Sequence, residues 1–419
     1  MKYAKSYLVF ITLLFFYSQQ LFAQAGTLDY SFGDSGLVVA KVISYANQSL
    51  IQVDGKILVL GSSNGLYRFK PDGSFDSSFG INGKAIIDTH QKLYSQNNDF
   101  ALQADGKIVC TGEYYAKNGN ILSGVYRLNP YGTMDTGFGY DGIDSVKTDN
   151  LNYTTGIVIQ PDGKIVVSGD SRKSVYDDNR TFIYRMMPDG GLDPTFGEDG
   201  IVINHHAESI NSVGLLIRPN GKLIIGSNYD VYGGSDASYE LESFNPDGSI
   251  DASFGENGKA EFSFEVTQMY AFVLGNDGKI TCAGVGGVPI AGMALCRFNE
   301  NGSVDEGFGN KGGVVTNIDL FSPKYFGVTL QPNGKTLACG YGLNGTTTTP
   351  LILACYLDNG ELDPFFGENG IIETKSENHY LSGNSVHILE DGKVLVTGSS
   401  SGNVGPFILL ARYNGDNVL

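Results

Sequence analysis

Apolar residues in this chain come in short runs bounded by Gly, Asp, Asn and Pro, and the runs return in the same order along its length. One unit reads GIVIQ (156–160), a Pro-Asp-Gly turn, KIVVSG, FIYRM with its arginine, a second turn, and GIVIN. Each run is too short for a helix and is flanked by turn residues, so the pattern predicts four short strands per unit.

Two motifs mark the units. The first, of the form L-D-x-x-F-G-x-x-G, starts at Leu28, Phe75, Met134, Leu192, Ile250, Val304 and Leu362, and its central glycines recur every 47 to 59 residues. The second, of the form D-G-K or N-G-K between apolar runs, occurs seven times in phase with the first, from VDGKILVLG at Val53 to EDGKVLVTG at Glu390. Asp-Gly and Asn-Gly are strong hairpin signals, and the spacing predicts a tight turn with positive φ at both central residues. Four strands in a period of this length signal a propeller blade rather than a helical solenoid. The first motif at the N-terminal end supplies a fourth strand without its first three, and the C-terminal end supplies three strands without a fourth. Unpaired strand edges are a hazard that folds avoid. The expectation is therefore an all-β, seven-bladed β-propeller of four-stranded blades, its ring closed by the N-terminal strand completing the last blade.

The paired motifs resemble the delta-60 repeat, a propeller-forming repeat of secreted bacterial proteins, over residues 26–419. The strand order is more distantly similar to NHL-type propellers, which implies that the strand before each D-G turn lies innermost. The resemblance implies a fold and little about chemistry. Ser243 and Tyr356 stand where other units are expected to carry arginine, and the first unit is about ten residues shorter.

The N-terminus adds a targeting segment. Lys2 and Lys5 precede the apolar stretch YLVFITLLFFY, and small residues end at Ala23 or Ala25, so residues 1–23 read as a signal peptide, with cleavage after 25 as the alternative. Residues 24–419 then form one domain, in a style similar to exported Bacteroidota proteins. No cysteine follows the apolar stretch to take a lipid, and no later run is long enough for a membrane helix. The expected location is periplasmic, cell-surface or extracellular after export through the Sec pathway, as a monomeric ring. A net charge of −17 disfavours nucleic acid as a partner. The absence of Trp removes the residue most used to stack on sugars.

Five cysteines raise the question of disulfides, with Cys282–Cys296 and Cys339–Cys355 as the pairs across one strand-to-strand loop. Cys110 and Cys282 take a Val or Ile slot, and Cys296 and Cys355 a Tyr slot, which favours buried free thiols. The recurring acids Asp29, Asp76, Asp135, Asp193, Asp251, Asp305 and Asp363 faintly resemble calcium-loop ligands. They lack the fuller ligand pattern, and pairing with Arg68, Arg127, Arg185, Arg297 and Arg412 is the expected role.

Repetition marks scaffold, so function is expected where the units differ. The variable segments 113–124, 170–180, 203–211, 227–240, 341–350 and 376–384 share one face and are rich in Tyr, Asn, Asp and Ser, a recognition composition. Candidate ligand contacts are Tyr114, Tyr115, Tyr176, Asp177, Asp178, His205, Asp230, Tyr232, His379 and Tyr380. Nucleophile-elbow, zinc-protease, Walker and C-x-x-C signatures are absent, and neither a cofactor nor a metal is expected. Three classes of function stay open: a non-catalytic module binding a protein or glycan; a polysaccharide hydrolase or lyase using axial carboxylates such as Asp177, Asp178 or Asp230; and a structural component of the envelope.

Overall fold

The computed structural model describes residues 24–415 except 63–64, 87–98, 117–118, 150, 174–179, 205–209, 230–237, 264–265, 288–290, 344–347, 378 and 403–404. Among the described residues there are strands and turns and no helix; the strands are numbered β1–β28 in chain order. In one unit, β10 (Leu151–Ile159), β11 (Ile165–Arg172), β12 (Arg180–Met186) and β13 (Ile201–Asn204) pair antiparallel in sequence order. The hairpin between β10 and β11 closes with Gly163 N donating to the Gln160 carbonyl at 2.8 Å. Gly163 takes φ 85°, whereas Asp162 stays outside the positive-φ region and accepts from Lys164 N at 3.2 Å. The expectation of two positive-φ residues per turn is thus corrected to one. The glycine forms the left-handed bulge of a longer hairpin loop, and the acid serves as an acceptor.

The F-G-x-x-G loop has a stricter need. Gly197 has φ 52°, and a Cβ there would lie 2.5 Å from the Ile201 carbonyl oxygen. Its N–H donates to the Asp247 carbonyl of the following unit at 2.9 Å, and Gly80, Gly139, Gly255 and Gly309 repeat this link. The preceding phenylalanines Phe32, Phe79, Phe138, Phe196, Phe254, Phe308 and Phe366 are all sealed between sheets. Complete burial of each is worth about 2–3 kcal/mol.

Seven separate four-stranded blades are not what forms. Among the described residues the sheets number five of four strands and one of eight. The eight-stranded sheet arises because Leu151 at the head of β10 pairs parallel with Ile121 at the head of β8 (Ile121–Leu128). Asn152 drives the junction: its Nδ2 donates to the Ile121 carbonyl at 2.7 Å, and its Oδ1 accepts from Thr148 N and Asp149 N. The expected blade count is corrected on this ground. In the sheet that joins the two ends of the chain, β1 (Leu37–Ile43) pairs with β28 (Gly405–Tyr413), followed by β27 (Val394–Gly402) and β26 (Tyr380–Ile388).

The first strand of each unit lies innermost: β2 (Ala46–Ile51), β6 (Asp99–Leu102), β10, β14 (Ile210–Ile217), β18 (Val266–Leu274), β22 (Phe321–Leu330) and β26. Each touches the next, and β26 touches β2, so they surround an axis in propeller fashion. The D-G-K turns lie at one end of this axis, and the described ends of the variable segments lie at the other.

The register also corrects one motif slot. Leu337 faces Cys355 as Val166 faces Arg185, so Cys355, and not Tyr356, fills the arginine position of its unit. Tyr356 is buried, and its hydroxyl meets those of Thr316 and Tyr325, each at 2.6 Å. All five cysteines are free and buried.

Candidate functional site

The recurring charges are consumed inside the scaffold. Arg185 Nε donates to Asp193 Oδ2 at 2.8 Å, and Lys164 Nζ, from the D-G-K turn, reaches the same oxygen at 3.0 Å. The guanidinium lies over the Phe196 ring at 4.8 Å. Arg127, Arg297 and Arg412 repeat the arrangement with Asp135, Asp305 and Asp29, and Arg68 repeats the arginine pairing with Asp76, while Lys56 of that unit stays with Asp54. Burial alone would raise the Asp193 pKa; the hydrogen bonds from Thr195 and Lys164 and the Arg185 charge outweigh it and hold the carboxyl well below the usual range. In two units the arginine is missing: Ser243 Oγ donates to Asp251 at 3.0 Å, and Asp363 is served by Lys335 Nζ at 2.7 Å.

The axis holds a cavity of about 380 Å³ to which every innermost strand contributes. Its walls mix small and polar residues such as Ser49, Thr155, Gly214 and Ser385 with larger apolar ones. One wall carries aromatic residues: Tyr270 and Phe326 have ring centroids 4.7 Å apart, and Tyr341 stacks on Phe326 at 5.5 Å. Asp99 is the one carboxylate among the described residues lining the cavity. It accepts from Phe100 N at 2.8 Å, Ile157 N at 3.1 Å and Gln48 Nε2 at 3.3 Å, and burial pushes its pKa up to about 6. His387 Nε2 pairs with Ser49 Oγ at 2.7 Å, and Ser49 in turn meets Thr397 Oγ1 at 2.6 Å. Burial lowers the His387 pKa to about 4, so the ring is neutral at pH 7. The cavity thus offers one carboxyl group that keeps its proton into the mildly acidic range, a neutral imidazole and an aromatic wall. Glycoside hydrolysis in its usual form needs a second carboxyl group.

At the loop-bearing end, the ten candidate contacts divide. Tyr176, Asp177, Asp178, His205, Asp230 and Tyr232 lie outside the described residues. Tyr114 sits half-buried near the end of the strand Ile108–Tyr115, and Tyr115 ends that strand. Tyr380 opens β26, is 44% exposed and bridges to Thr349. His379 beside it keeps a buried Nδ1 with no hydrogen-bond partner. Sequence reasoning missed Phe321, 73% exposed at the head of β22, and Tyr45, 52% exposed before β2. With Tyr380 they stand on consecutive sheets around the same rim. It also missed Asp99 and His387, whose positions vary between units and carry no motif. Exposed aromatics at the turn end, such as Tyr30, Tyr140 and Phe365, are scattered singly in loops and need no ligand to explain them.

Five segments, residues 52–79, 103–138, 160–196, 275–308 and 389–416, match the family described as a domain of unknown function (DUF5122) beta-propeller. No curated protein matches the chain. Among solved structures, a puromycin hydrolase mutant complexed with PGG is similar at TM-score 0.47 and 14% identity over 90% of this chain and 52% of its own. An acylaminoacyl peptidase from Pyrococcus horikoshii gives 0.44 and 10% over 88% and 51%. A glucose dehydrogenase gives 0.42 and 9% over 90% and 98%. The chain spans about half the length of the hydrolase and the peptidase, and nothing about activity rests on these likenesses. Its four-stranded sheets set around one axis and its five matching segments make the chain a repeat protein of β-propeller type.

Proposed function

We propose that the protein is an exported, non-catalytic binding module that engages a protein or glycan through its loop-bearing face. The observation that carries this reading is the set of exposed aromatic side chains on consecutive sheets at that face: Phe321, Tyr380 and Tyr45. Such rings supply large contact area at small conformational cost, and exposed clusters of them mark recognition surfaces. Residues 1–23 act as the signal peptide, and 24–419 form one domain of delta-60 type. The net charge of −17 argues against nucleic acid as the partner. The test is a glycan-array and pull-down screen of the chain from residue 24 beside a triple variant, Tyr45→Ala, Phe321→Ala and Tyr380→Ala. A ligand captured by the native chain and lost by the variant supports the reading. A ligand retained by the variant sinks it.

One observation favours a second reading. A carboxyl group titrating near pH 6 inside an axial cavity is suited to act as a general acid on a polysaccharide. Turnover of an acidic or neutral polysaccharide that vanishes in Asp99→Asn would support it, and unchanged turnover in that variant would exclude Asp99.

A further inference from the structure

The repeated arginine has three tasks. Its Nε binds the recurring Asp, its plane covers the recurring Phe, and its Nη1 reaches the next unit's turn, as Arg68 does to the Pro130 carbonyl at 2.7 Å. In the unit of β14 the slot holds Ser243. A different arginine, Arg218, enters from the inner turn, where four other units carry Gln52, Gln103, Gln160 and Gln331. Arg218 covers Phe254 at 5.1 Å, but Asp251 is already taken by Lys222 at 2.8 Å and by Ser243. The Arg218 residue is 7% exposed, and its Nε and Nη2 are buried without a hydrogen-bond partner. A buried guanidinium with unpaired donors is costly to keep.

Where the missing arginine would have lain, between this unit and the next at the turn-bearing end, there is a cavity of about 560 Å³. Arg218, Asn220, Ser253 and Asn301 line it. Asn220 and Asn301 spend their carbonyl oxygens on the amides of Lys222 and Ser303, both at 3.1 Å, which leaves their NH₂ groups for a ligand. Nε and Nη2 form one edge of the guanidinium, the edge that grips a carboxylate with two parallel hydrogen bonds. Asp251, Asp277 and Glu300 in the same walls offset Arg218, Lys222 and Lys279, so the gap carries no excess of positive charge to favour a doubly charged anion such as phosphate.

We propose that this gap binds a hydroxylated monocarboxylate, a sugar acid in chemical class. Its carboxylate pairs with Arg218, after a small swing of that side chain off Phe254, and its hydroxyls meet Asn220, Ser253 and Asn301. The site lies at the opposite end of the axis from the loop-bearing face and does not depend on it.

The test is isothermal titration and thermal shift with D-galacturonate, using D-galactose and inorganic phosphate as comparisons. Two variants accompany the native chain: Arg218→Gln, which installs the residue that other units carry, and Ser243→Arg, which refills the gap. The proposal expects galacturonate to raise the melting temperature in proportion to its occupancy. It also expects both variants, with native circular dichroism, to bind about tenfold more weakly or not at all. Equal binding of galactose, tighter binding of phosphate, undiminished binding by Arg218→Gln, or no binding by the native chain would each overturn it.

Discussion

Replacing the recurring acid by its amide should cost very different amounts in two units that look alike in sequence. In Asp193→Asn, Oδ1 keeps its hydrogen bonds from Thr195 N and Oγ1, at 3.0 and 2.7 Å. The other position becomes an NH₂ facing Arg185 Nε, which now sits 2.8 Å from a donor, while Lys164, 24% exposed along its side chain, can swing away. Arg185 is buried and wedged over Phe196, so it cannot follow water outward. Breaking a buried pair in this way costs about 3–5 kcal/mol. In Asp363→Asn the arginine slot holds Cys355, and Lys335, 22% exposed along its side chain, can swing into solvent. That loss is about 1 kcal/mol, the worth of one hydrogen bond. Equilibrium urea unfolding followed by far-ultraviolet circular dichroism compares the two variants through their midpoints, provided the slopes stay equal. Equal midpoints would refute the claim that the arginine, rather than the acid's own burial, sets the cost.

Three further outcomes are expected. Asp170 is buried, its pKa is raised to about 7 by burial, and both its oxygens accept from Ser212 N. A carboxyl whose folded pKa is raised keeps its proton in the native state while the unfolded chain loses it near pH 4, so stability falls as pH rises from about 4 to 7. Asp170→Asn should flatten that fall in a urea series run from pH 5 to 8; an unaltered slope would rule it out. All five thiols are buried, with burial pushing the pKa of Cys110, Cys282 and Cys339 far up. They should therefore ignore a thiol-reactive dye until urea unfolds the chain, and fast labelling of the native protein would contradict the packing. Removing residues 24–43 strips β1 from β28 and exposes Arg412 by taking away Asp29, so the urea midpoint should drop sharply, whereas an unchanged midpoint would deny that this pairing supports the fold.

What could be read without coordinates was whatever recurs in phase from unit to unit. The turns, the four-strand unit, the burial of the cysteines and the pairing of Asp29 with Arg412 or Asp76 with Arg68 all follow from residues that recur in phase. What could not be read were single-copy events. Asn152 joins two units into one sheet through side-chain contacts that no periodicity announces. The slot of Cys355 was misassigned by one residue because an apolar run has no internal mark of register. The D-G-K lysines were seen as turn residues, but the reach of Lys164 to Asp193 or Lys335 to Asp363, in the loop before the fourth strand, is a distance in space, not in sequence. Asp99 and His387 were passed over because the inner strands differ from unit to unit, and Arg218 because it acts as an arginine displaced from its usual strand.

The pairing of β8 with β10 has a mechanical consequence. A backbone pairing of Leu151 with Ile121 ties two units at the loop-bearing end, as the bridge of Thr349 with Tyr380 ties another two, whereas the other neighbours meet through side chains and turn contacts, which can slide. Units tied in this way, such as the pair holding Asp99 and Thr155, are expected to move together when the axial cavity widens. The seam between the units bearing Tyr270 and Phe326 has no such strand-to-strand tie among the described residues and is the easier one to part.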